Sequence, residues 1–113
     1  MTNYSAGHEA EQIAARYLNE QGFTVHSVNW STPACEIDIV ANKDDCVYFI
    51  EVKYRSSDSQ GGGFDYITPK KLQQMKFSAQ CWVQENKYEG DYELSAIEIG
   101  ADFQIIEFIE EID

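Results

Sequence analysis

The sequence predicts a single α/β domain, a mixed sheet flanked by helices, with its elements in the order αβββαββ. Three observations predict it. An apolar stripe at helical spacing fills the N-terminal segment, and two apolar runs meet at a polar turn in the middle of the chain. A Thr-Pro helix-start signal then separates those strands from two more. With 113 residues, 43% of them hydrophobic, the chain has material for one core, so 1–113 reads as one domain.

Each element has a local reason. From Gly7 to Glu20, the residues Ala10, Ile13, Ala14, Tyr17 and Leu18 form one apolar helical face, and Gly22 ends the helix. Phe23–Val28 reads as the first strand. Cys35–Ala41 and Cys46–Lys53 read as a hairpin around Asn42-Lys43-Asp44-Asp45. Trp30 falls in the loop before that hairpin, where it either closes the core or stacks on an unpaired base. Ser56–Gly63, rich in Ser and Gly, reads as a mobile loop. Thr68 is an N-cap with Pro69 at the first helical position, and Leu72, Met75, Ala79, Trp82 and Val83 make that helix's buried stripe. Tyr92–Ile99 and Phe103–Ile109, on either side of Gly100, are the last two strands.

The hairpin carries the chemistry. Charged residues are rare in buried strands unless they are paired or bound to a metal, and this hairpin holds Glu36, Asp38, Glu51 and Lys53. Strict alternation puts Glu36, Asp38 and Val40 on one face and Ile37, Ile39 and Ala41 on the other. In the next strand Val47, Phe49, Glu51 and Lys53 share a face. A four-residue loop places Glu36 opposite Glu51; a tip of only Asp44-Asp45 places Asp38 opposite Glu51. An odd loop without a bulge would put the two sets on opposite faces. Asp38, Glu51 and the Val52 carbonyl together form a hard oxygen set suited to Mg2+ or Mn2+. Such an ion polarises a phosphoryl oxygen and acidifies a bound water, while Lys53 orients the water or neutralises charge on the phosphate. The competing reading is an ordinary ion pair between Lys53 and one of the two acids.

These residues carry a resemblance. Asp38 followed by Glu51-Val52-Lys53 resembles the PD-(D/E)XK nuclease signature, with Ile37 where that signature has proline. Several further segments extend the match to the bacterial YraN family: Ala10-Glu11-Gln12-Ile13-Ala14-Ala15-Arg16-Tyr17-Leu18, Gln21-Gly22-Phe23, Asn29, Glu36 to Ala41, Phe49 to Arg55, Gly61, and Thr68-Pro69-Lys70-Lys71. That family is endonuclease-like and akin to archaeal Holliday-junction resolvases. The resemblance implies a restriction-endonuclease-like fold and metal-dependent hydrolysis of DNA phosphodiesters, branched DNA included. It implies Asp38, Glu51 and Glu11 as metal ligands, Lys53 as the catalytic lysine and Glu36 as a further acid of the site. It also implies a symmetric dimer, for which Phe103–Ile109 is a candidate interface. The chain departs from the family pattern at Ala10, Cys35, Gln60 and Gly63. By spacing alone, Glu11 is equally an acid near the helix start that favours the helix dipole.

Charge bounds the partners. The net charge of −12 opposes binding to bulk DNA. Its distribution is uneven, however: Lys53, Arg55, Lys70, Lys71 and Lys76 lie close together in sequence, opposed only by Asp58 and Asp65, whereas the stretch from Glu85 onward is acidic. Arg55, Lys70, Lys71 and Lys76 are therefore the candidate nucleic-acid contacts, the last three helped by the positive end of their helix. An alternative function follows from the same charge: a nuclease fold kept as a non-catalytic binding module whose acidic surface docks a basic protein. Cys35, Cys46 and Cys81 show no metal spacing and read as reduced core thiols, and His8 and His26 as surface or cap residues. With no signal peptide and no membrane-spanning run, the expected location is the cytoplasm.

Overall fold

The computed structural model describes residues 3–56 and 65–112. The elements are α1 (Asn3–Glu20), β1 (Thr24–Ser31), β2 (Glu36–Lys43), β3 (Cys46–Tyr54), α2 (Pro69–Asn86), β4 (Asp91–Ile99) and β5 (Ile105–Ile109), in the expected order. The strands form one sheet in the order β1-β2-β3-β4-β5; β3 and β4 are parallel and the other neighbours antiparallel. Parallel neighbours need a long crossover, and α2 supplies it. The arrangement is consistent with a restriction-endonuclease-like fold. Most of the Ser56–Gly63 loop, with Gln60, Gly61 and Gly63, lies outside the described residues.

The alternation of strand residues divides the core in two. On one face Ala10, Ala14 and Leu18 of α1 pack on Ile39, Ala41, Ile50, Ile97 and Ile99. On the other, Ala79 and Trp82 of α2 pack on Val40, Val47, Phe49 and Leu94, with Leu72, Met75 and Val83 alongside. Adjacent residues of β3 therefore feed opposite clusters, Phe49 towards α2 and Ile50 towards α1.

Several boundaries differ from expectation, three of them for reasons that the structure identifies. Helix α1 begins at Asn3 rather than Gly7, because buried Ala6 extends the apolar stripe by a turn and Gly7 sits in open space where it obstructs nothing. Glu11 is therefore well inside the helix, and dipole stabilisation near a helix start does not explain it. The helix end follows the Gly22 signal: Gly22 has φ 95, and the Phe23 N–H bonds the Leu18 carbonyl at 2.9 Å while both side chains enter the core. Strand β1 continues to Ser31 and takes Trp30 with it, half-buried against the α2-side cluster, so Trp30 is a sheet residue and not a loop residue. Strand β5 starts only at Ile105, because Phe103 (φ 62) belongs to the turn closed by the Phe103 N–H to Gly100 carbonyl bond.

The hairpin adopts the shorter of the two allowed loops. Lys43 pairs with Cys46, leaving Asp44 and Asp45 at the tip with φ 53 and 64. Two left-handed residues in a row make a turn whose twist matches the strands. Neither aspartate is at ease there, and their like charges are adjacent. Asp45→Gly is expected to stabilise the protein by about 0.5–1 kcal/mol, the relief of a left-handed L-residue offset by the freedom glycine has when unfolded. A raised denaturation midpoint at unchanged m-value would show it; no change would mean the turn is unstrained.

Strict alternation fails at one level of the sheet. Ile37 packs with the α2-side cluster, whereas Ile39 packs with the α1 side. The pairs Val28↔Ile39 and Trp30↔Ile37 bracket Asn29 and Asp38, and Asn29 is left-handed at φ 61. The β2–β3 ladder stops at Ile39↔Ile50. Ile37 thus does not share the face of Ile39 and Ala41, and Asp38 stands where the sheet changes its pattern.

Candidate functional site

The register Lys43↔Cys46 to Ile39↔Ile50 brings Asp38 level with Glu51. Regular pairing ends there, and the Asp38 side chain takes over from the backbone: its Oδ2 accepts the Val52 N–H at 2.8 Å. In an extended strand the carbonyl of a residue points to the same side as its N–H, so the Val52 carbonyl faces the same opening. One carboxylate from β2, one from β3 and one main-chain oxygen thus meet where the two strands separate.

The electrostatics of the site are set first by burial and then by its neighbouring acids. Burial pushes the Asp38 carboxyl from 3.8 to about 7, and the charges of Glu51 and Glu11 push the same way; the Val52 N–H and the Lys71 ammonium pull against them. Burial likewise raises Glu11, helped by the fields of Glu36 and Glu51 and opposed by a hydrogen bond from Asn29 and by the charge of His8. Carboxylates from α1, β2 and β3 therefore crowd Asp38 and Glu11. The left-handed Asn29 that breaks the strand pattern is also a residue that favours the charged form of Glu11.

The residues fit a hard divalent ion in a limited way. Among the described residues no three His, Cys, Asp or Glu side chains are gathered closely enough to hold one unaided. Two carboxylates and a carbonyl are the ready donors, a set suited to Mg2+, which keeps several of its waters.

The expected basic residues divide. Lys71 does not point outward from α2; its Nζ sits 2.9 Å from Glu51 Oε2. Arg55, 12% exposed, is engaged by Glu98 and Asp65. Lys70 and Lys76 are exposed on α2. Lys53 lies with its Nζ 5.7 Å from the centre of the Tyr66 ring, and the ion pair on Glu51 belongs to Lys71 and not to it. Glu36 is exposed at the start of β2, on the rim of an open groove of about 440 Å³ between that segment and α2, with Glu51 and Lys71 in its lining.

Two residues escaped the sequence reading. Glu98 is level with Lys53 across the parallel β3–β4 pair and only 2% exposed. One of its oxygens accepts from Arg55 Nε, and Oε1 has no hydrogen-bond partner. A charge inside the apolar run Ser95-Ala96-Ile97-Glu98-Ile99 was a signal of the same kind as Glu51. Tyr66 packs its ring near both Lys53 and Arg55, and its hydroxyl is held well above the ordinary phenol range by burial and then by the charges of Glu51 and Glu98. Nothing in its local sequence marked it. The cysteines are also not core residues: all three are half-buried free thiols, with Cys35 Sγ 3.2 Å from Thr32 Oγ1.

Comparison with known proteins adds a family. The model of the uncharacterised protein family UPF0102 matches residues 10–107. A UPF0102 protein of Vibrio campbellii is 32% identical over 96 residues, covering 82% of this chain and 79% of its own. One from Shewanella frigidimarina is 36% identical over 83 residues, 74% and 77% of the two chains. One from Neisseria meningitidis serogroup C is 33% identical over 85 residues, 75% and 74% of the two chains.

Proposed function

The chain belongs to the UPF0102 family, the YraN family of the sequence comparison, and from that premise we propose that it is a metal-dependent endonuclease hydrolysing DNA phosphodiester bonds, branched or structured DNA among them. The observation that carries the reading is the meeting of Asp38, Glu51 and the Val52 backbone at the end of the hairpin, around a buried carboxyl crowded by other acids. Asp38, Glu51 and the Val52 carbonyl would hold Mg2+ or Mn2+, with Glu11 behind them. The ion would supply polarisation of a phosphoryl oxygen and a water acidic enough to attack.

The chain's own groups do the rest. Asp38 and Glu51 fix the direction from which the phosphate is approached. Lys53, one strand residue beyond Val52, orients the attacking water or offsets charge growing on the phosphate. Asn29 favours the charged form of Glu11. Lys70 and Lys76, exposed on α2, offer contacts to the DNA backbone in a protein whose net charge of −12 gives little attraction at long range. Two copies joined through β5, an edge strand on which Ile106 is 55% exposed, would present two sites to a two-stranded branch. The working compartment is the cytoplasm, in keeping with the lack, among the described residues, of any helix long and apolar enough to cross a membrane.

A second reading, a binding module that uses its acidic surface on a basic protein, is favoured by the net charge and by the Lys71–Glu51 pair, which neutralises a would-be ligand. Cleavage decides between them. Labelled four-way junction, flap, single-stranded and linear duplex DNA are incubated with Mg2+ or Mn2+, wild type beside Lys53→Ala and Asp38→Asn. Cutting of at least one substrate, reduced by about 100-fold or more in both variants, is the expected result. Absence of cutting on all four, or cutting that survives both substitutions, favours the binding module.

A further inference from the structure

Lys71 occupies an unfavourable position for a lysine. It lies in the first turn of α2, capped by Thr68, where the positive end of the helix dipole repels cations, and that turn contains no acid to compensate. Helix stability therefore does not explain it. Its ammonium is spent on Glu51, at 2.9 Å, and its charge also reaches Asp38. It is the cation paired with Glu51, and its field favours a charged Asp38. A divalent ion coordinated by Glu51 needs the electron pairs that Lys71 now engages, and two cations on one carboxylate repel each other. The groove beside the pair gives a displaced side chain somewhere to go, since Lys71 is 34% exposed and lines it.

We propose that Lys71 is a placeholder cation: it neutralises Glu51 until a divalent ion takes that carboxylate, and the ammonium so released binds a phosphate of the substrate. This rests on the nuclease reading for the ion and the phosphate, and adds to it a coupling, in which metal binding prepares the phosphate site. No bond is made or broken; one ion pair is exchanged for another. Because the pair is partly exposed, the competition is modest, and removing Lys71 should tighten metal binding about fivefold.

The test is calorimetric titration of the metal-free full chain with Mn2+. Lys71→Met and Lys71→Gln, two variants in case one folds poorly, are compared with wild type and with Arg16→Gln, which loses the same charge from the exposed face of α1. Both Lys71 variants should bind Mn2+ about fivefold tighter, and Arg16→Gln within twofold of wild type. Junction DNA binding, measured with Ca2+, should weaken in the Lys71 variants, while without a divalent ion the variants and wild type should bind alike. Unchanged or weaker Mn2+ affinity in the Lys71 variants, or equal tightening in Arg16→Gln, overturns the proposal and leaves the nuclease reading standing. Absence of Mn2+ binding to all four proteins overturns both.

Discussion

Asparagine at position 38 is expected to make the metal-free protein more stable at pH 8 and, in the same molecule, to abolish stabilisation by Mn2+. The two effects have one cause. The Asp38 carboxyl titrates at about 7 in the folded chain because burial, Glu51 and Glu11 disfavour its charge more than Val52 and Lys71 favour it. With a folded value above the unfolded one, the native state holds the extra proton, and stability falls as pH rises from about 4 to about 7. Below that window the carboxyl is neutral in both states and costs nothing; above it the cost is complete. Its upper bound at pH 8 is about 4 kcal/mol, and coupling to Glu51 brings a realistic figure to roughly 2 kcal/mol.

Asparagine keeps the shape and an oxygen for the Val52 N–H but carries no charge. The melting temperature of Asp38→Asn at pH 8 should therefore exceed that of wild type by on the order of 5 °C or more, while at pH 4 the two should coincide. Mn2+ at a hundred times its Kd should stabilise wild type by about 2.7 kcal/mol and the variant hardly at all. The reverse order at pH 8, with the variant melting first, would mean that Asp38 is a stabilising group, and the electrostatic case for a metal there would fail. An ordinary structural carboxylate does not combine a more stable apo protein with lost metal response.

The sequence showed the elements well and their relations unevenly. Thr68-Pro69 and Gly22 marked helix ends through backbone chemistry that acts locally, and both hold. The hairpin register was narrowed to two loops because side-chain parity is a local rule; choosing between them required the left-handed pair Asp44-Asp45, to which the sequence alone gives only weak preference. The break at Asn29 and Asp38 was hidden, since a period of two assumes that the strand does not bend, and a single left-handed asparagine is enough to bend it. Lys71 reads in the sequence as a nucleic-acid contact beside the positive end of its helix, and nothing local ties it to Glu51. What turns it to Glu51 is the crossover that lays the start of α2 over β3, a relation between residues distant in sequence.

Glu98 differs from these, because its signal was local. Removing it is expected to give the largest loss of stability in the site region. Its carboxylate is 2% exposed and receives Arg55, itself 12% exposed, so Glu98→Ala takes a buried anion from a largely buried guanidinium whose other contacts include Asp65, which lies 57% in solvent, and the Tyr66 ring. Breaking one side of a buried pair costs about 3–5 kcal/mol; the remaining Asp65 contact lowers the expectation to about 2–3 kcal/mol. Glu98→Gln, which keeps the volume and an acceptor, should lose less, about 1–2 kcal/mol. If the cost arises from the lost ion pair and not from the cavity, then Glu98→Leu combined with Arg55→Met should recover most of it, since apolar replacements of a buried pair are often neutral. Chemical denaturation of the three proteins reads this directly. A loss below about 0.5 kcal/mol in Glu98→Ala would mean the pair is effectively solvated, and a double variant no better than the alanine one would assign the cost to packing. Because Glu98 faces Lys53 across the parallel pair, its retention by the fold matters beyond stability. The same buried carboxylate that anchors Arg55 lies beside the lysine on which the proposed chemistry depends, with Oε1 still lacking a hydrogen-bond partner.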